Sequence, residues 1–381
     1  MNFLEGLINY IAETYTDRLN YFPSNVKTSL LIILFCVIAT LEMYIYITFR
    51  RLSQANEKRQ LDKWNEHVSN MLANLIIFDE ADKTEDIVAH FYPKMKKWPL
   101  RNKVLNKVLI SEILTYHKSF TGQIGEVLSI LYRKLGLDKK SKKKINSRNW
   151  EVKIEGIREA NEMRISEMAA EIIKYTDDEN ALLRMESQAA YINLSENNPF
   201  HFLDRAQERI LDWHQVVLFE IITKNKALKI PSFSQWLRSP NDTVVMLCLK
   251  LVEHFMQFEA AEEVERLLKH HNPRIVKKSV EIIGKLELAS AETSMFEIYF
   301  DQPEDVKLEI LNSLGKISSG SYENFLMSRI YSGNVKIKKE ALYAIKRDQH
   351  QGEEKLRELY QQTTVENQAL INHVLDSRIK P

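Results

Sequence analysis

Apolar positions recur at a fixed interval through the last third of the chain. Val244–Glu253 (VVMLCLKLVE), Ile275–Gly284 (IVKKSVEIIG), Val306–Gly315 (VKLEILNSLG) and Ile337–Lys346 (IKKEALYAIK) align without gaps, their first residues 31 apart. Each opens on Val or Ile, continues with a small or apolar residue four positions on (Cys248, Ser279, Ile310, Ala341), and carries an aliphatic at the eighth (Val252, Ile283, Leu314, Ile345). Offsets of 0, 4, 7 and 8 fall on one side of an α-helix, so the stripe predicts a core-facing helix in every copy. Ser239-Pro240, Asn272-Pro273 and Gln302-Pro303 precede these helices, a polar residue followed by a proline suited to the first helical position. A second apolar group follows in each unit: Leu267 and Leu268, Ile298 and Tyr299, Phe325 with Leu326 and Ile330, then Leu356 and Leu359. The unit is therefore two short antiparallel helices. Earlier copies begin at Val152 and Leu183, and one shifted out of step covers Trp213 to Ile222. The array is expected to occupy 150–381.

The N-terminal part follows another pattern. Thr28–Phe49 (TSLLIILFCVIATLEMYIYITF) is almost unbroken apolar sequence, and at about 1.5 Å per residue it reaches roughly 33 Å, enough for a bilayer core. Its one charge is Glu42. A signal peptide would have a shorter apolar core ending in small residues, so residues 28–49 read as a permanent transmembrane helix. Arg50, Arg51, Lys58, Arg59 and Lys63 follow the span while only Arg18 and Lys27 precede it, which places the C-terminal body in the cytoplasm and residues 1–27 outside. Within that outer segment Phe3, Leu4, Leu7, Ile8 and Ile11 suggest a short amphipathic helix. Residues 50–138 read as a helical linker and divergent cap repeats, with helices over 52–78, 84–97, 100–119 and 122–137. The lysine run Lys139 to Lys144 interrupts the pattern, and 139–149 is expected to be a basic loop.

The repeats resemble the HEAT class in its short form, the phycobilisome-lyase-like HEAT repeats. The resemblance rests on the opening Val or Ile, a nearby basic residue (Lys277, Lys307, Lys338, and Arg184 in an earlier copy), the small residue at the fourth offset, and the pairs Ile283-Gly284 and Leu314-Gly315. Glu253 and Lys346 stand where that glycine would be. The resemblance implies an α-solenoid of HEAT-like helix pairs, and with the span before it the fold is expected to be all-α, a single N-terminal transmembrane helix followed by that solenoid. The layout is also similar to bacterial proteins that accompany membrane glycosyltransferases in surface-polysaccharide synthesis.

Composition agrees with helices and narrows the function. Ten Gly and nine Pro in 381 residues are few. The 53 Lys and Arg balance 52 Asp and Glu, which argues against an overall nucleic-acid footprint. Two cysteines, Cys36 and Cys248, form neither a disulfide framework nor a Cys-rich zinc site. No GxGxxG, phosphate-binding loop or G-x-S-x-G is present, and no two histidines stand four apart. His270-His271 is adjacent, and on a helix its side chains would point to different faces. The expectation is a protein without chemistry of its own and without a cofactor or metal.

Three features remain as candidates. Glu42 within the span is a candidate contact for an intramembrane partner. Arg50, Arg51, Lys139, Lys140, Lys142, Lys143 and Lys144 are candidate contacts to anionic lipid. The repeat surface, with Lys277, Lys278, Lys307, Lys338 and Lys339, is a candidate face for partner proteins, Lys277 and Glu281 being spaced as a surface ion pair. The leading expectation is a membrane-anchored scaffold or adaptor in the cell membrane, binding protein partners. The alternatives are a HEAT module for nucleic acid or anionic lipid, and a lyase-like enzyme subunit.

Overall fold

The computed structural model describes residues 23–77, 83–120, 122–317, 319–347, 351–376 and 378, apart from the side chains of Lys27 and Leu30. The amphipathic segment expected over residues 3–11 lies outside them. The described residues are helical throughout, with no strand among them. They form two compact units that divide between Leu137 and Asp138.

The first unit begins with α1 (Ser24–Ile76), a continuous 53-residue helix. Neither Gly nor Pro occurs in it, so no backbone breaker separates the apolar span from the polar stretch expected as a linker. Residues of its first half are bare: Leu31, Phe35, Ile45 and Phe49 are 66 to 72% exposed. It is the one helix among the described residues long and apolar enough to cross a membrane. Its second half buries Val68, Leu72 and Leu75 beside α2 (Thr84–Lys96), α3 (Lys103–Ser119) and α4 (Gln123–Lys134). Leu105, Leu109 and Ile113 of α3 and Leu128 and Leu131 of α4 complete that core at 0% exposure. The Tyr116 hydroxyl lies 3.2 Å from Ser69 Oγ, linking α3 to α1.

The second unit begins with a helix where a basic loop was expected. Lys139–Lys144, expected as a loop, belongs to helix α5 (Leu137–Ile145). Lysine is a good helix former, and Leu137, Ser141 and Ile145 at successive four-residue steps make a buried stripe between the lysines. That stripe meets α6 (Trp150–Glu162) at Gly156, where a Cβ would stand 2.7 Å from Ile145 N and Ser141 O. Glu159, one turn on and 5% exposed, accepts a 2.8 Å hydrogen bond from Ser141 Oγ and pairs with Lys144. A carboxylate at a core position is tolerated because this helix satisfies it.

From α6 onward the first helix of every unit starts almost in step. Those helices are α6, α8 (Ala181–Leu194), α9 (Asp212–Lys224), α10 (Asp242–His254), α12 (Pro273–Lys285), α14 (Glu304–Ile317) and α16 (Val335–Lys346). Their starts are 31 residues apart except for 30 between α9 and α10, which accounts for the copy read as out of step. Second helices are short and mixed: α7 (Ala169–Ile172), α11 (Ala261–Arg266) and α13 (Glu292–Ile298) each run between 3₁₀ turns, while α15 (Glu323–Arg329) and α17 (Gly352–Gln362) are plain α-helices. The terminal α18 (Val365–Leu375) packs against α16. Val244, Cys248 and Val252, Ile275, Ser279 and Ile283, and Val306 and Ile310 are 0% exposed. Leu314, Ala341 and Ile345 are also buried, and Ile337 is half-buried. Each fully buried aliphatic among them contributes about 1.5–3 kcal/mol.

Candidate functional site

Asparagine builds the junctions between units. Asn149, Asn180, Asn241, Asn272 and Asn334 each precede a first helix and accept hydrogen bonds from its free backbone N–H groups, at 2.8 Å for Glu151 N and 3.0 Å for Arg274 N. The carboxamide nitrogens of three reach the preceding unit: Asn241 Nδ2 donates to Ala206 O and Glu208 O, both at 3.0 Å, Asn272 to Asp242 Oδ2 at 2.7 Å, and Asn334 to Glu304 Oε2 at 2.7 Å. One residue thus caps the start of a helix and ties it to the preceding unit. The sequence reading found the helix start at Asn272 but missed the other asparagine caps and their ties to the preceding unit, although the recurrence of Asn at intervals of about 31 residues or twice that is visible. It placed the start of α10 at Ser239-Pro240, whereas Asn241 is the cap and Ser239 Oγ only supports it, 3.2 Å from Asn241 N.

Along these capped ends runs a groove of about 590 Å³, spanning α9, α10 and α12. Gln215, Val216, Met246, Lys250, Arg274 and Ile275 are among its lining residues. Val216 is 62% exposed, and Trp213 on the same helix 49%. Gln215 is buried and accepts a 3.0 Å hydrogen bond from Lys250 Nζ, while its own nitrogen donates to Ile210 O at 3.1 Å. Burial lowers the Lys250 ammonium from its ordinary range, opposed by Asp212. Asp212 and Arg274 face each other at 3.5 Å. The lining is mostly polar, with fixed donors and acceptors of both signs set beside Val216 and Met246.

Behind the groove, His214 occupies the stripe-opening position of α9, in register with Val244 of α10 at the 30-residue step. It is 0% exposed, and neither ring nitrogen has a hydrogen-bond partner. Burial, helped by the Arg184 charge, pushes its pKa down to about 4. Arg184 is itself 4% exposed, donating to Asp178 O, to Glu179 O at 3.2 Å and to Arg209 O of the next unit at 3.0 Å.

The basic residues singled out in the sequence are mostly occupied. Lys144 pairs with Glu159 and Glu155, and Lys142 lies 3.7 Å from Glu171. Burial holds the pKa of half-buried Lys140 below its ordinary value. Lys139 and Lys143 stay on the outer face. Lys277 does not pair with Glu281 as its spacing suggested; it faces Asp305 at 3.6 Å, and Lys278 bridges Glu253 at 2.6 Å and Glu281 at 2.9 Å. Lys338 is buried against Glu366 at 3.0 Å and Asn367 at 3.3 Å, while Lys307 and Lys339 lie over the rings of Tyr299 and Tyr343. In α1, Glu42 and Arg51 are exposed, and Arg50 lies 5.7 Å from the Tyr46 ring centre.

His270 and His271 also differ from expectation. They lie in the turn before α12 rather than on a helix, so their rings do not diverge: both Nε2 atoms approach Asp242, at 3.7 and 3.5 Å.

No protein-family model matches the chain, and no curated protein matches it. Among solved structures it is similar to a Kap121p mutant at 12% identity, with a TM-score of 0.50 over 80% of this chain; the chain spans 37% of that protein. A designed armadillo repeat protein (15% identity, TM-score 0.31, 55% of this chain and 98% of that one) is also similar. So is human deoxyhypusine hydroxylase (11% identity, TM-score 0.30, 70% and 97%). On its serial helix pairs and the likeness to Kap121p, the chain has the α-solenoid fold of HEAT and armadillo repeat proteins.

Proposed function

We propose that the chain is a membrane-anchored scaffold whose solenoid grips a partner protein along the capped ends of its first helices. The observation that carries this reading is the groove across α9, α10 and α12, where exposed Val216 adjoins buried Gln215 and half-buried Lys250, already held in place by their hydrogen bond. Preorganised polar atoms beside an apolar surface cost little ordering entropy when a partner binds. The bare apolar half of α1 supports a bilayer as the covering of that helix, and the basic residues that follow the span favour the cytoplasmic side for the repeats. Glu42 is then a contact for a membrane-embedded partner, and the accessory role beside a membrane glycosyltransferase fits such an arrangement. A role in binding nucleic acid or anionic lipid through the lysines is less favoured, because Lys142, Lys144, Lys278 and Lys338 already face carboxylates.

The test is fractionation and affinity capture of the full chain. The protein stays in the membrane pellet after an alkaline wash, and Val216→Asp keeps that location while losing the proteins co-purified in mild detergent. Recovery of the same proteins by Val216→Asp contradicts the groove, and release by the wash contradicts the anchor. Glu42→Leu should retain the anchor and lose only membrane-embedded companions.

A further inference from the structure

We propose that Asp242, His270 and His271 form a binding site for a divalent transition metal of the Zn²⁺ type, which clamps two consecutive units of the solenoid. The three side chains come from two places. Asp242 opens α10, and the two histidines occupy the turn into α12, which starts 31 residues after α10. One ligand atom from each lies within 4.8 Å of the others.

The distances distinguish this cluster from a hydrogen-bonded one. His270 Nε2 stands 3.7 Å from Asp242 Oδ1, and His271 Nε2 stands 3.5 Å from Oδ2. Both exceed ordinary N–H···O lengths. Ligand atoms bound at about 2.0–2.1 Å around a tetrahedral Zn²⁺ are separated by about 3.3–3.4 Å, so small movements would bring these atoms onto one ion. Two imidazoles and a carboxylate are a borderline donor set that selects Zn²⁺ and its neighbours over Ca²⁺ or Mg²⁺. Asp242 is also oriented from outside the cluster, since Asn272 Nδ2 donates 2.7 Å to Oδ2. His271 is largely exposed, which leaves an entry path and a fourth position for water.

One contact limits the affinity. His270 Nδ1 accepts a hydrogen bond from Asn272 N at 3.1 Å, which puts the ring proton on Nε2. Binding through Nε2 requires the other tautomer, with the proton on Nδ1, so the contact with Asn272 N–H is lost. The site is therefore expected to bind in the micromolar range.

Titration calorimetry of the untagged full chain in detergent with ZnCl₂ tests the site. Wild type is expected to show one saturable micromolar site, weakened at least tenfold in His271→Ala and in Asp242→Asn. Circular dichroism of both variants checks that the helices are retained, and truncation of exposed His271 leaves the buried core untouched. Co²⁺ substituted for Zn²⁺ should give the intense visible bands of a four-coordinate ion in wild type and not in His271→Ala. Wild-type affinity in His271→Ala, or no saturable Zn²⁺ binding in wild type, overturns the proposal.

Discussion

Gly284 of α12 lies against Ser313 of α14: a Cβ built on Gly284 would stand 2.5 Å from Ser313 Oγ and 2.6 Å from its Cβ. Ser313 Oγ in turn donates 2.9 Å to Val280 O, a buried hydrogen bond between consecutive units. The relationship repeats one unit later, where a Cβ on Gly315 would meet Ala344 Cα at 2.5 Å. The ninth-offset glycine of one unit and the seventh-offset small residue of the next are thus two halves of one contact. Where Glu253 replaces the glycine, the next unit has Ile282 at that offset, and Glu253 turns to Lys278 and Lys285 instead.

Gly284→Ala is a test with an informative sign. In an open helix the change would stabilise by about 1 kcal/mol. Here overpacking opposes it, and we expect a net loss of about 1–3 kcal/mol in denaturant unfolding. Adding Ser313→Gly should recover part of that loss, and strictly additive effects in the double-mutant cycle would contradict the pairing.

Acid should weaken the array through His214. Its pKa is about 4 in the folded chain against 6.5 for the free side chain. The unfolded state therefore takes up the proton first, so stability present above pH 6.5 is lost progressively down to about pH 4. The loss approaches about 3 kcal/mol at most. His214→Leu restores an apolar residue to the stripe and should flatten the pH dependence of the melting temperature over that window. An unchanged slope in the variant would rule His214 out as its source.

Docking of the basic helix depends on Glu159. Glu159→Ala removes the buried carboxylate that accepts from Ser141 Oγ and pairs with Lys144, at a cost of about 1–3 kcal/mol. Hydrogen exchange should show α5 opening more readily in this variant while α12 and α14 keep their protection. Equal loosening of all three would mean that α5 is not separately held.

The fold was largely legible because offsets of 0, 4, 7 and 8 leave a mark in Val244, Ile275 and Val306 that survives substitution elsewhere. The copy at α9 was harder to place for two physical reasons. A connection one residue shorter shifts its register, and His214 stands where every other opening residue is aliphatic. Six residues of lysine-rich sequence hid the single buried face of α5, whose members Leu137, Ser141 and Ile145 are four apart. The candidate groove was not legible at all, since its polar atoms come from three helices brought together only by stacking. The convergence of His270 and His271 on Asp242 likewise depends on a turn conformation that residue spacing does not encode.

The central claim, a membrane-held solenoid that binds a partner through its first-helix groove, is tested most directly by photocrosslinking in intact membranes. A photoreactive residue is placed at Val216 in the groove, and another at exposed Glu297 on a second helix as the control. A discrete adduct with a partner protein is expected from position 216 in the membrane fraction and none from position 297. Adducts from 297 but not 216, or a chain found only in the soluble fraction, would contradict it.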